Sequence, residues 1–251
     1  MIMFEARIQD TRLLKETVST ISSLVKDQCT FNISKDGIKL AAMDPANVAM
    51  VIFNLLSPAF ETFEVDQETN ITVDIENLTT VLKRAKPSDG LTLKLENEKL
   101  MVTYEGKSTR TFAIALLDTT DADRPVPKLD FPATAELRAE ILKDGIEDAK
   151  IFSDNVIISI GPDGFHMEAE GDTGNTALQL AKESDGLIKA EAKDATKSRY
   201  SLDYLMKMVS GTKIAPLVSV SLGNDYPMRM DFTQIDKVNL SFILAPRVDT
   251  D

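Results

Sequence analysis

Apolar residues along this chain repeat with two periods, and the switches between them mark out the elements. Across residues 11–26, Leu14, Val18, Ile21 and Val25 fall at i, i+4, i+7 and i+11, the stripe of an amphipathic helix. Over residues 29–41 the period drops to two. Phe31 and Ile33 precede a turn at Lys35-Asp36-Gly37, and Ile38 and Leu40 follow it, which predicts a hairpin with glycine supplying a positive φ. Residues 48–56 and 70–74 read as further strands. A second helical stretch carries Leu78, Val81, Leu82 and Ala85, and alternating runs follow at 91–95, 100–104 and 109–117. The same grammar then recurs. A strand near 133–137 leads to a helix with Leu142, Ile146 and Ala149, then a hairpin turning at Pro162-Asp163-Gly164. Further strands, a helix with Leu202, Leu205, Met206 and Val209, and three more runs ending at Ala245 complete it. Two helices against many hairpin strands per half predict an α+β fold of antiparallel sheets with the helices on one face.

The recurrence has a register. Leu14-Lys15-Glu16-Thr17-Val18 reads like Leu142-Lys143-Asp144-Gly145-Ile146, at an offset of 128 residues. Asp36-Gly37-Ile38 reads like Asp163-Gly164-Phe165 at 127, and residues 75–82 match 202–209 at the same spacing. Agreement at one offset argues for two duplicated domains, 1–117 and 132–251. Between them, residues 118–131 hold Asp118, Asp121, Asp123, Pro125 and Pro127 without periodicity, the composition of an extended surface connector.

Charge changes this picture more than composition does. The net charge of −12 argues against a nucleic-acid partner if it is spread evenly. It is not. The four expected helices, 12–26, 75–86, 139–151 and 201–213, hold ten basic residues: Arg12, Lys15, Lys26, Lys83, Arg84, Lys86, Lys143, Lys150, Lys207 and Lys213. Against these stand seven acids, four of them on the third helix, so the helices sum to +3 and the remainder to −15. On the first helix Arg12, Lys15, Ser19, Ser22 and Lys26 lie opposite the apolar stripe, where a locally positive face can form on an acidic protein. No run of about 18 apolar residues suggests a membrane span, no signal peptide opens the sequence, and the single cysteine, Cys29, allows no internal disulfide. A soluble, intracellular protein is expected. Catalytic signals are lacking: His166 stands alone in an alternating run, and there is no phosphate-cradling glycine loop and no metal-ligand spacing. Ser23-Leu24-Val25-Lys26 and Ser153-Asp154-Asn155 mimic two serine β-lactamase motifs, but the third, Lys-Thr-Gly, is missing. Neither enzymatic activity nor a cofactor is expected.

Three segments carry a family resemblance: the opening Met3-Phe4-Glu5-Ala6-Arg7 with Leu13-Leu14-Lys15, the segment Met43-Asp44-Pro45-Ala46-Asn47-Val48, and the ending Leu244-Ala245-Pro246-Arg247-Val248 with a short acidic tail. Together they resemble the proliferating cell nuclear antigen family of sliding clamps, and Thr109-Arg110-Thr111-Phe112 leans toward its archaeal members. The resemblance implies a homotrimeric ring that encircles double-stranded DNA without reading sequence and tethers DNA polymerase, clamp loader, nuclease and ligase through short peptide motifs. It implies a cytoplasmic, nucleoid-associated protein in an archaeon and a nuclear one in a eukaryote. On the DNA-facing wall it implies Arg12, Lys15, Lys83, Arg84, Lys143, Lys207 and Lys213. Glu16, Ser22, Thr80 and Glu147 stand where many members carry basic residues, so a weak grip is expected. The implied partner-peptide pocket is Met43, Asn47, Val48, Met50, Val126, Pro127, Pro227, Ile243, Ala245 and Pro246, although Val48 and Met50 read from the residues alone as plain strand core. The implied subunit interface pairs residues 109–116 with 175–181 and involves Arg84, Thr109, Arg110, Phe112, Glu140, Asp144, Ala177, Leu178 and Leu180, the arginines facing the acids of a neighbour. A checkpoint-type clamp paralogue, or an acidic interaction scaffold without DNA contact, are the alternatives.

Overall fold

A computed structural model describes residues 3–119 and 125–248; Asp121 and Asp123 of the connector and the acidic tail lie outside them. The chain divides into two compact units. The first takes the sequence up to Pro45, Val51–Val126 and Gln234–Leu240, and the second takes Ala46–Met50, Pro127–Thr233 and the sequence from Ser241 onward. Each unit therefore includes a short piece from the other half of the sequence.

The first half runs β1 (Phe4–Ile8), α1 (Thr11–Leu24), β2 (Gln28–Ser34), β3 (Gly37–Met43), β4 (Ala49–Leu56), β5 (Thr62–Val65), β6 (Thr69–Asp74), α2 (Ile75–Leu82), β7 (Gly90–Glu96), β8 (Lys99–Glu105) and β9 (Thr109–Ala115). The second half repeats it: β10 (Ala133–Arg138), α3 (Ala139–Phe152), β11 (Asn155–Gly161), β12 (Gly164–Gly171), β13 (Gly174–Ala181), β14 (Leu187–Ala192), β15 (Thr196–Ser201), α4 (Leu202–Met208), β16 (Leu217–Leu222), β17 (Met228–Gln234) and β18 (Val238–Leu244). The strand orders match as well. The order β5-β1-β7-β8-β9 corresponds to β14-β10-β16-β17-β18, and β4-β3-β2-β6 corresponds to β13-β12-β11-β15. The observed architecture is the expected α+β arrangement, and element by element it is a duplication.

One pair of glycines shows how deep the correspondence runs. Gly37 and Gly164 open β3 and β12 with φ of 143° and 141°. A Cβ there would lie 2.1 Å from the Leu55 carbonyl oxygen and 2.0 Å from that of Leu180. Both the left-handed backbone and the close approach require glycine.

Each helix packs by its stripe. Asp10 caps α1 by accepting from the Arg12 backbone N–H at 3.1 Å. Leu13, Leu14, Val18, Ile21 and Leu24 are buried along it. The helix ends two residues before the periodicity suggested: Val25 is already extended, and Asp27 takes a φ of 67°. Val25 is nevertheless buried, which is why the pattern overran the helix. Likewise α2 stops at Leu82, leaving Ala85 beyond it, and α4 passes into a 3₁₀ turn over Val209–Lys213. There Met208 is fully buried while Met206 is half-exposed, so Met208 and not Met206 packs the core.

Candidate interaction surfaces

The helices leave their cations on the faces opposite these stripes, and several of them are met by nearby acids. On α1, Arg12 is exposed, and the half-buried Lys15 has its Nζ 4.0 Å from Glu16. On α3, Lys143 lies 3.5 Å from Glu147. Lys150 is bound at 2.6 Å by Asp154 and at 2.9 Å by Asp203. These two hydrogen bonds, Asp154 first, hold the Lys150 ammonium above its ordinary pKa. The same contact holds the Asp203 carboxyl below its own. Lys83 and Arg84 follow the last turn of α2 in exposed positions. Lys207 rests over the Tyr204 ring at 5.3 Å, and Lys213 is exposed at the end of the 3₁₀ turn. The exposed ridge of α3 is Glu140, Asp144, Glu147, Asp148 and Ile151, so this helix contributes little net positive charge.

A second surface forms where the piece Ala46–Met50 joins the second unit. The Ala245 N–H donates to the Val48 carbonyl at 3.0 Å, which fixes Val48 beside Ala245 and Pro246, all three half-buried. Asn47 is exposed with a φ of 55°, Pro127 is exposed and Pro227 half-buried. Ile243 is almost wholly covered. Met50 is only 4% exposed and belongs to the core, so it does not offer its side chain at this surface. Of the remaining expected pocket residues, Met43 (half-buried) and Val126 (42% exposed) belong to the first unit. Sequence reasoning missed an aromatic pair next to Pro227. Phe131 meets Tyr226 edge-on at 6.0 Å, and the Tyr226 carbonyl accepts from the Tyr200 hydroxyl at 2.8 Å. The C-terminal segment is tied down by the Arg247 N–H, which donates to the Arg199 carbonyl at 2.8 Å.

Two strand edges complete the set. In its sheet β9 bonds only to β8, and β13 bonds only to β12. Thr109 and Ala177 are exposed on these strands, Leu178 is half-buried and Leu180 is buried. Phe112 stacks edge-on against Tyr104 at 6.0 Å. Arg110, expected to reach acids on a neighbouring copy, is held by Asp89 of its own chain. Between α3 and β13 lies a recess of about 240 Å³ lined by Gly145, Ile141, Met167 and Leu178, with Asp144 and Asp148 at its wall. Among the described residues no group of histidine, cysteine or acidic side chains is arranged to hold a metal ion. No helix there is long and apolar enough to cross a membrane.

The fold and these surfaces define a duplicated α+β chain with β9 and β13 at sheet edges and cation-bearing helices. The sequence matches the proliferating cell nuclear antigen N-terminal domain over residues 3–123 and the C-terminal domain over residues 125–247. It is 36% identical over 247 residues to the DNA polymerase sliding clamp of Pyrococcus furiosus and 35% identical to that of Pyrococcus horikoshii, with 98% of this chain and 99% of each relative covered. The crystal structure of PCNA from Thermococcus kodakaraensis superposes with a TM-score of 0.91 at 28% identity, covering 97% of this chain and all of that one. The chain belongs to the proliferating cell nuclear antigen family.

Proposed function

We propose that the protein is a non-catalytic sliding clamp, three copies of which close into a ring around duplex DNA and hold replication and repair proteins there. One observation carries the reading. β18 and β4 are bonded at both ends, by Leu56 N–H to the Lys237 carbonyl at 2.8 Å and by Ala245 N–H to the Val48 carbonyl. Their duplicates, β9 and β13, are left as open edges. Bare edges of this length are aggregation hazards unless covered, and the pairing that suits β18 and β4 suits β9 and β13 from successive copies. Such a head-to-tail contact generates a closed ring when the rotation permits. Arg84, Thr109, Arg110 and Phe112 would then meet Glu140, Asp144, Ala177, Leu178 and Leu180 of the neighbour.

In this ring Arg12, Lys15, Lys83, Arg84, Lys143, Lys207 and Lys213 face the duplex. Phosphate contacts carry no sequence information, so the ring can slide. The carboxylates beside Lys15, Lys143 and Lys150 keep the grip weak. DNA polymerase, clamp loader, nuclease and ligase would dock through short peptides at the surface around Val48, Val126, Pro227, Ala245 and Pro246. The test reverses Lys15, Lys83, Lys143 and Lys213 to Glu together. These side chains lie away from the buried stripes, so the assembly should survive while retention on circular DNA and stimulation of a polymerase collapse. Normal stimulation by an intact fourfold variant would leave an acidic scaffold as the better description.

A further inference from the structure

We propose that Asp89 is a built-in counter-charge at the β9 edge: it mutes Arg110 within the chain and thereby limits how tightly successive copies associate. This rests on the ring reading above. Asp89, the residue before β7, is 4% exposed. Its carboxylate pairs with the Arg110 guanidinium and accepts from the Lys86 backbone N–H at 3.1 Å. The guanidinium also donates to the Arg84 carbonyl at 3.2 Å and lies 5.2 Å from the centre of the Tyr104 ring. Tyr104 in turn donates to the Val81 carbonyl at 3.0 Å. Arg110 is thus seated against the end of α2 by three contacts, and its charge is met at the place where it is seated.

The duplication supplies an internal control. The residue before β16 is Pro216, and the second residue of β18, where β9 has Arg110, is Asn239. The strand that is bonded within the chain therefore lacks the pair, and the strand whose edge is open has it. A fold-stabilising brace alone would serve both units equally. Opposite this edge, in the ring, stand Glu140, Asp144 and Asp148, all exposed on α3. An unopposed cation would be drawn to that acidic face over a range of about 8 Å at physiological salt. A close Arg–Asp pair presents a dipole instead, whose field dies away faster, so the seam is left less adhesive than its arginine content suggests.

The decisive variant is Asp89→Asn in the full chain, which keeps shape and an acceptor for Lys86 while restoring a full charge to Arg110. Association measured by sedimentation should tighten roughly two- to fivefold at low salt, the scale of one exposed ion pair. The gain should vanish at high salt, giving a steeper salt dependence. The double variant Asp89→Asn with Arg110→Gln replaces one neutral pair by another, so its salt dependence should match that of the native chain. Unchanged or weaker association of Asp89→Asn with a parallel salt curve would make Asp89 a structural brace only. So would a flattened salt dependence in the double variant, since Arg110 would then be acting across the seam already; this second arm decides the matter if the single variant does not fold. A native chain that stays monomeric at every concentration and salt would instead overturn the ring.

Discussion

Gly145→Ala separates the stability of the chain from the strength of its association. Gly145 is buried in the middle of α3, where glycine costs a helix about 0.8–1.0 kcal/mol relative to alanine. A Cβ added there would lie 2.7 Å from the Leu178 Cδ2 and 3.6 Å from both the Leu178 Cβ and the Met167 Sδ. Only the first contact is too close, and it falls on the free end of a half-buried side chain that can rotate away. That rotation costs about 0.5–1.5 kcal/mol, much the same as the helix gains. The thermal stability of the dissociated chain should therefore shift by no more than about 1 kcal/mol in either direction. Association should respond differently, because the displaced Leu178 no longer lines the recess between α3 and β13 in its native position. Losing roughly half of a leucine's burial at each seam, about 0.8–1.5 kcal/mol, corresponds to roughly four- to twelvefold weaker association. Melting at high dilution reads the first quantity and sedimentation across a concentration series reads the second. A variant that melts far below the native chain, or that associates as tightly, would show that Gly145 does not serve the β13 edge.

Two further outcomes follow. Val126→Glu should abolish calorimetric binding of a glutamine–hydrophobic–aromatic peptide while leaving association intact, because Val126 is exposed; Met50→Glu should lose the fold itself, and retained peptide affinity in Val126→Glu would place the groove elsewhere. Burial pushes the Cys29 thiol and the Tyr104 and Tyr200 phenols up to about 12, so the unfolded chain ionises first and stability falls as pH rises, by about 1.4 kcal/mol per unit for each group titrating. The thiol begins this loss near pH 9 and the phenols near 10, so in urea titrations Cys29→Ala should hold its stability from pH 9 to 10 where the native chain already declines. Equal slopes for the two proteins over that unit would refute the assignment.

Most of the architecture was legible because period and turn chemistry agreed. The hairpin glycines at 37 and 164, the helix stripes and the offset near 127 all survive in the structure. β1 and β5 were not anticipated. Each is short and is defined by partners distant in sequence, β1 lying between β5 and β7. The apolar stripes run past the helix ends at Val25 and Ala85, and Val25 still faces the core although it lies beyond α1. The interaction surfaces were legible as residue types but not as states. Nothing in the spacing of Arg110 announces Asp89, which lies 21 positions earlier with β7 and β8 between them. Nor does alternation distinguish Val48, which remains partly open, from Met50, which points into the core.

The burial of Cys29 has a practical side. This is the only cysteine in the chain, it is 2% exposed in β2, and its raised pKa keeps it in the unreactive thiol form at neutral pH. A cysteine introduced at an outlying position such as Ile235, which is 84% exposed, would be the one thiol a maleimide can reach. Each copy could then carry a single fluorophore at a known point, with the native sequence otherwise untouched.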